Sequence, residues 1–198
     1  CMSLSVEQFL SLSDAEQLQT IKDLNDIGQE EIIIEALTGV GIENLSVPLL
    51  CELGRAYNNN DKPEEAIKVF KAIDKKYRDA VWYYRCAYSY GSIVSTNREA
   101  YTSENMQQML ALLDSGVQLA TKENRNDVRE YCFEVMDMCR LQMDFEKCEV
   151  DYPDLCLNYS KYIAEKKKKR EGVPRQRTIT VEEILATDDM WTINEPAY

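Results

Sequence analysis

The sequence contains no histidine, and glycine (7) and proline (5) are scarce among its 198 residues. Without histidine, the chain cannot form Ser-His-Asp or Cys-His nucleophile pairs, nor a metal site with an imidazole ligand. The glycines at 39 and 41 are not followed by the Lys and Ser or Thr of a phosphate-binding loop. We therefore expect no catalytic, cofactor-binding or metal-binding residues and no cofactor, and the scarcity of breakers predicts a mostly helical chain.

The chain also lacks a long apolar run and a disulfide framework. No segment approaches the roughly 20 apolar residues of a membrane span, and no basic-then-apolar leader is present, so we expect a cytoplasmic protein without membrane contact. Its seven cysteines are odd in number and irregularly spaced, which predicts free thiols. Cys132 and Cys139 fall on one helix face, where core packing is favoured over metal binding. Met2 is typical of a natural start, so we expect Cys1 to be an addition; a lipidated terminal cysteine is the alternative.

Charge is unevenly distributed along the chain, which carries a net charge of -12. Residues 161–177 hold eight of the 23 Lys and Arg residues and only two of the 35 Asp and Glu residues. The remaining surface is therefore strongly acidic and repels phosphate, which excludes nucleic acid as the main partner and favours a basic or neutral peptide. The basic run 166–170 is interpreted as a solvated helix end whose cations complement the helix dipole; contact with an acidic surface or a membrane is the alternative.

Capping signatures and apolar periodicity predict nine helices. Ser5 with Gln8, and Ser13 with Glu16, form two capping boxes, and Gly28 follows the second helix. Glycines at 39 and 41 are expected to break the third helix, whose isoleucine run could also be read as a strand. Five of the predicted helices have both ends defined, at 14–27, 29–37, 80–95, 103–121 and 126–143. For the other four only the start is predicted, at residues 6, 47, 63 and 153.

The most informative segment is 47–78, which predicts one antiparallel helix pair. Apolar and small residues recur at helical spacing on both sides of a turn at 58–62. Gly54 and Ala66 would let the two backbones approach closely, and large side chains would fill the space around them. The residues of this pattern are Leu50, Leu53, Gly54, Tyr57, Ala66, Phe70 and Ile73.

This pattern resembles the tetratricopeptide repeat, a 34-residue helix-turn-helix unit. In a second unit, after an insertion around 96–101, the packing positions hold Tyr83, Cys86, Ala87, Tyr90, Met109, Leu113 and Gly116. The segment AVWYYR at 80–85 is also similar to bacterial tetratricopeptide proteins of unassigned role. The resemblance implies an all-α solenoid of about three helix pairs at 46–171, with an N-terminal helical cap at 1–45 and an extended tail at 172–198.

The resemblance also implies where a partner would bind. In such repeats the first helix of each pair lines a concave groove, and the corresponding residues here are Cys51, Arg55, Asn58, Tyr84 and Tyr88. An alternative for the two tyrosines is burial against the neighbouring helix. Members of the family that bind a C-terminal carboxylate use Lys and Asn where this chain has Cys51 and Arg55, so that mode is not expected.

The tail combines five acidic residues and no basic one over 179–198 with apolar side chains that a solvated tail rarely carries. We expect it to dock, either on its own groove or on a partner, through Ile184, Leu185, Trp191, Ile193 and Tyr198.

These features together predict a non-enzymatic adaptor or scaffold that binds a protein or peptide in a helical groove. A dedicated inhibitor of one partner enzyme, such as an antidote to a toxin, is one alternative, and a carboxylate-based enzyme or enzyme subunit is another. The sequence does not indicate an oligomeric state.

Overall fold

The computed structural model describes residues 3–96, 102–172 and 180–182. Within these ranges the protein has no strand, which confirms the all-α prediction and the helical reading of the isoleucine run. Two 3₁₀ segments occur at Ile42–Asn44 and Lys75–Tyr77. The α-helices are α1 (Val6–Leu10), α2 (Asp14–Asp26), α3 (Glu30–Val40), α4 (Val47–Asn59), α5 (Pro63–Lys71), α6 (Ala80–Thr96), α7 (Ser103–Lys122), α8 (Asn126–Met138), α9 (Phe145–Asp151) and α10 (Pro153–Glu171).

Both predicted capping boxes are present. The Ser5 hydroxyl accepts a hydrogen bond from the Gln8 backbone N–H at 3.1 Å, and the Gln8 side chain accepts one from the Ser5 N–H at 3.0 Å. Ser13 and Glu16 repeat this exchange at the start of α2. Each box satisfies two N–H groups that a helix start leaves without intrahelical partners. Local chemistry therefore decides where these two helices begin.

The α4–α5 pair packs as the sequence predicts. Leu53, Ala66 and Phe70 are fully buried, and the Phe70 ring lies so close to the Cα of Gly54 that a Cβ there would collide with it. Close approach of the two helices therefore depends on the missing side chain at Gly54. Asp61, with φ 55°, turns the chain between the helices.

The next pair, α6 and α7, buries a larger set of side chains. Cys86, Ala87, Met109 and Leu113 are buried as predicted, whereas Tyr83 is only half-buried. Trp82 is also buried, and its indole N–H donates to the backbone carbonyl of Phe70 at 2.9 Å, so it ties α6 to α5. A buried indole normally finds such a partner because its N–H would otherwise lose hydration without compensation.

The order of contacts between helices is regular. Helices α2, α4, α6 and α8 pack successively against one another, and each of α3, α5 and α7 packs against the helix before it and the helix after it. Every second helix therefore contributes to one row, and the helices between them form a second row in this part of the chain.

Two helix ends differ from the prediction by more than one residue. Helix α3 continues through Gly39 to Val40. A Cβ at Gly39 would lie 2.6 Å from the Val6 side chain, so the missing side chain gives room to α1 rather than ending α3. The helix ends at Gly41, whose φ of 97° requires a residue without a Cβ.

Helix α8 ends at Met138 rather than continuing to residue 143, and a helix not predicted, α9, follows. The Asp144 side chain accepts the Lys147 backbone N–H at 3.1 Å and so caps α9. A short aspartate side chain competes for backbone donors in this way, which favours a new helix start over continuation of the old one.

The chain divides into two units, Cys1–Tyr162 and Ile163–Tyr198. The boundaries 1–45, 46–171 and 172–198 stay predictions. Of the tail, Val181 and Glu182 are helical, and Val181 is 70% exposed. The other tail residues lie outside the described ranges, including all five expected to dock, as do Cys1 and the insertion at 97–101. No described helix has the combination of length and apolarity that a membrane span requires.

Candidate functional site

Side chains from α4, α6 and α8 surround an open pocket of about 500 Å³, which we call the groove. Helix α4 contributes one edge, α6 the floor and Tyr131 of α8 the other edge. Four of the five residues predicted to bind a partner meet here. The residues that line the groove are Arg55, Asn58, Asn59, Tyr84, Arg85, Tyr88 and Tyr131.

A buried carboxylate holds the two arginines of the groove in place. Glu52 on α4 is 4% exposed, and its Oε1 lies 3.4 Å from Nη2 of Arg85 while its Oε2 lies 3.3 Å from Nη1 of Arg55. Asn25 of α2 donates a further hydrogen bond to Oε2 at 2.9 Å. A charge removed from water is tolerated only when it is paired and hydrogen-bonded, and Glu52 meets both conditions. One carboxylate therefore connects α2, α4 and α6.

Both guanidinium groups have additional partners. Arg55 Nη2 donates to Oδ1 of Asp26 at 3.0 Å, and Arg85 Nη1 donates to the backbone carbonyl of Cys51 at 3.2 Å. Burial acts to lower the pKa of Arg55, but the bonds to Asp26 and Glu52 together raise it above its usual value. Arg55 is therefore a fixed cation with 27% of its side chain exposed.

An amide and a hydroxyl continue this polar cluster beneath the groove. Asn58 donates to the backbone carbonyl of Arg85 at 3.0 Å, and its own side-chain oxygen accepts the Ser89 hydroxyl at 2.7 Å. Asn58 is 8% exposed and Ser89 is fully buried. These side-chain groups of Asn58 are hydrogen-bonded to α6, so Asn58 positions α4 against α6. Fewer of its groups remain to bind a partner than its predicted role implied.

Three tyrosines form the rest of the groove wall. The rings of Tyr84 and Tyr131 lie 5.3 Å apart between centroids and are inclined by 37°. Burial raises the pKa of Tyr84 to about 12, so its hydroxyl remains a proton donor at neutral pH. Tyr88 and Tyr84 are half-buried while Tyr131 is 43% exposed. Tyrosine suits such a wall because it joins a large apolar ring to a polar tip.

Cys51, the fifth predicted residue, lies in a neighbouring pocket of about 440 Å³ that also contains Glu52 and shares Arg55 and Arg85 with the groove. Burial raises the pKa of its thiol to about 11, so the thiol is un-ionised at neutral pH. Its carbonyl, rather than its sulfur, contributes by holding Arg85.

The described residues contain no group of three or more metal-ligating side chains. Cys132 and Cys139 are buried, as the core interpretation predicts. Asp114 is a carboxyl whose pKa is raised, first by burial, but it does not line the groove. The groove itself therefore offers hydrogen-bond donors and aromatic rings rather than an acid–base pair.

Glu52, Arg85 and Tyr131 were missed in the sequence. A signal for Glu52 exists, because it lies three and four residues from the apolar positions Leu49 and Ala56 and so shares their buried face. Arg85 lies three residues before Tyr88, on the stripe already assigned to the groove. Tyr131 lies on α8, the first helix of the third predicted pair, which the resemblance places along the groove. Which residue of α8 reaches the groove depends on its packing beside Tyr84 of α6.

No family model, curated protein or solved structure matches this chain.

Proposed function

We propose that this protein is an adaptor or scaffold module that binds a segment of another protein along the groove. The observation that carries the proposal is that two fixed guanidinium groups and three tyrosines meet at one open pocket. They come from α4, α6 and α8, which are neighbours in one helix row. Aromatic and arginine side chains dominate the binding energy of protein interfaces. The groove is built mainly from these two types.

The arrangement of helices supports a tetratricopeptide-like solenoid as the scaffold. In such a fold each helix pair packs on the next, so first helices contact first helices and each second helix is shared between neighbours. The contacts among α2 to α8 follow this order. The first-row helices α4, α6 and α8 supply the groove, as the inner face of a solenoid would.

The chemistry of the lining favours a segment that carries acceptor groups, such as a carboxylate. No acidic side chain is among the described residues that line the groove, whereas Arg55 and Arg85 are. Glu52 and Asp26 offset the charge of the two guanidiniums, so the groove offers their N–H donors rather than a net positive charge. The acidic body of the protein favours a basic or neutral partner, yet charges beyond about 8–10 Å are largely screened at physiological salt. The N–H donors of the two arginines therefore determine which peptide the groove prefers.

The groove is already in place before a partner arrives. The hydrogen bonds of Glu52, Asn58 and Ser89 fix the two arginines and the spacing of α4 and α6. Little side-chain entropy remains to be lost when a segment binds, which improves affinity.

Binding of synthetic peptides tests this proposal. A library of extended peptides of equal length, with acidic, neutral or basic centres, is measured by fluorescence anisotropy against the full chain. We expect selection of peptides with a carboxylate, and at least about tenfold weaker binding for Tyr88→Ala and Arg55→Gln variants. Leu141→Ala is the control, since Leu141 is 97% exposed and does not line the groove.

Equal affinities for the groove variants and the control would refute the choice of surface. If the groove variants do bind more weakly, affinity capture from the native lysate identifies the natural partner. Capture of one enzyme whose activity the protein abolishes would favour the dedicated-inhibitor alternative.

A further inference from the structure

Two cysteine sulfurs lie unusually close to each other on α9 and α10. The Sγ atoms of Cys148 and Cys156 are 2.7 Å apart. Even carbon atoms, which are smaller than sulfur, prefer a separation of about 3.5–4.0 Å when they are not bonded. A disulfide bond measures about 2.03–2.05 Å. A displacement of well under one ångström would therefore join the two sulfurs.

Neighbouring contacts hold the two cysteines in this geometry. Only Tyr152 separates α9 from α10. Its N–H donates to the Cys148 carbonyl at 2.7 Å, and its own carbonyl accepts the Cys156 N–H at 3.1 Å. Tyr159, one helical turn further on, donates its hydroxyl to Asp137 of α8 at 2.8 Å. The start of α10 is thereby fixed against α8, and the two thiols cannot easily separate.

Each of the two cysteines lies beside a different surface pocket. Cys156 lines a surface pocket of about 330 Å³, and Cys148 lines another of about 210 Å³. Both side chains are 2% exposed, so a bulky protein oxidant would be excluded. The pockets therefore select small molecules.

We propose that Cys148 and Cys156 form a reversible disulfide by exchange with a low-molecular-weight disulfide of the glutathione type. The thiolate of one cysteine attacks a sulfur of the small disulfide, and the first small thiolate leaves. The second cysteine then attacks the protein sulfur of this mixed disulfide and displaces the second small thiolate. The two protein thiol protons end on the two released thiols, and the small disulfide is reduced as the cysteine pair is oxidised.

Burial is the main cause that raises the pKa of both thiols. Either sulfur can donate the hydrogen bond between them. Either thiol can therefore attack first once it ionises, and the other then resolves the mixed disulfide.

Charged groups on three sides modulate the reaction. Arg140, in the segment before α9, lowers the pKa of both thiols, whereas Asp114 of α7 and Glu149 act to raise that of Cys156 and Asp151 raises that of Cys148. Both thiols stay above their ordinary pKa, so the exchange is slow at neutral pH and its rate rises with pH. The disulfide staples α9 to the first turns of α10 and does not depend on the proposed binding function.

Peptide mapping tests the proposal on the full folded chain. The protein is treated with oxidised glutathione at neutral pH and again near pH 8.5, about the ordinary thiol pKa. It is then alkylated in denaturant and digested with trypsin. No Lys or Arg lies between Lys147 and Lys161, so one peptide contains both cysteines. We expect this peptide to lose two hydrogen atoms and gain no alkyl group, while the peptides with Cys51, Cys86, Cys132 and Cys139 are alkylated.

Variants test whether both cysteines are needed to complete the exchange. In Cys148→Ser the glutathione adduct should remain trapped on Cys156, whereas Cys132→Ala should leave the cross-link unchanged. The proposal is overturned if the 148–161 peptide carries two alkyl groups at both pH values, if the wild-type protein stops at a mixed disulfide, or if all cysteines oxidise alike. A reductant must restore two alkylated cysteines, since an irreversible product would also contradict exchange.

Discussion

The two faces of α6 use similar aromatic residues for opposite purposes. On one face Trp82 is 2% exposed and Tyr90 is 5% exposed, and the Trp82 indole hydrogen-bonds to the backbone of α5. On the other face Tyr84 and Tyr88 are half-buried and line the groove. The first face is enclosed by the second helix row, whereas the described residues beside the second face belong to α4 and α8. The same side-chain type therefore stabilises the fold on one face and remains available to a partner on the other.

This comparison separates changes that unfold the protein from changes that affect only binding. Substitutions on the enclosed face should lower the free energy of unfolding, and binding should fall only as the folded fraction falls. Substitutions on the groove face should lower affinity with little change in stability.

Alkaline pH should lower the free energy of unfolding more than any single substitution, because it acts on several buried thiols together. Burial raises the pKa of Cys86, Cys132 and Cys139 from 9.0 to about 12. The unfolded chain therefore loses these protons at a lower pH than the folded chain. Their contribution to stability is complete below pH 9 and is lost as the pH rises towards 12, with a slope of up to about 1.4 kcal/mol per thiol per pH unit. Chemical denaturation at a series of pH values measures the slope, and Cys132→Ala should reduce it.

Phe70→Ala should cost about 3–5 kcal/mol, because it empties a fully buried site between α4, α5 and the indole of Trp82. Urea unfolding followed by circular dichroism gives the value. Leu141→Ala, on the exposed surface, should change stability by less than about 0.5 kcal/mol. A small effect of Phe70→Ala would mean that the α4–α5 interface is not the core of the pair.

Glu52→Gln should cost about 3 kcal/mol, since it leaves two partly buried guanidinium groups without their shared carboxylate. Asp26→Asn removes the exposed partner of Arg55 and should cost less than about 1 kcal/mol. Urea unfolding of the two variants shows whether the stabilising effect of an ion pair with Arg55 depends on burial rather than on charge alone. Equal losses would contradict this interpretation.

Gly54→Ala should cost about 1–3 kcal/mol, because the added methyl group collides with the Phe70 ring. Gly172→Ala is a matched control, as its nearest contact would be an ordinary 3.7 Å. The double variant Gly54→Ala with Phe70→Leu tests the cause: the smaller side chain should relieve part of the strain, and strictly additive losses would exclude a direct collision.

Tyr88→Phe should have the smallest effect on stability, less than about 0.5 kcal/mol, because it removes only the hydroxyl of a half-buried residue that lines the groove. Peptide affinity should nevertheless decrease, since the hydroxyl is a potential donor to the ligand. A fall in melting temperature equal to that of a core variant would place Tyr88 on the enclosed face instead.

Most helix starts could be predicted from the sequence because they depend on neighbours in the chain. The Ser5 and Ser13 boxes and the α5 start at Pro63 rest on residues within one turn. The end of α8 could not be predicted, because the apolar pattern continues to Met143 while the cap at Asp144 starts a new helix. Apolar periodicity predicts which face of a helix is buried. It does not predict where one helix ends and a cap starts the next.

The candidate site was predicted in part. Arg55, Asn58, Tyr84 and Tyr88 were identified from the resemblance to the tetratricopeptide repeat, and the structure places all four on one pocket. Their function as partner-binding residues stays a prediction. Cys51 lies beside this pocket rather than in it, because its side chain points along the adjoining side of α4. The cysteine pair at 148 and 156 was not recognised, since the α9–α10 turn that brings the two sulfurs together was not predicted.

The amino-acid sequence alone determined that this chain is helical, where most helices begin and which small residues permit close packing. These properties follow from hydrogen bonds and steric contacts within a few residues. Only the tertiary structure decided that one buried glutamate serves two arginines from different helices, that Tyr131 completes a groove begun by α4 and α6, and that two thiols face each other. Such contacts join residues through space, and their energies depend on distances and burial that spacing along the chain does not specify.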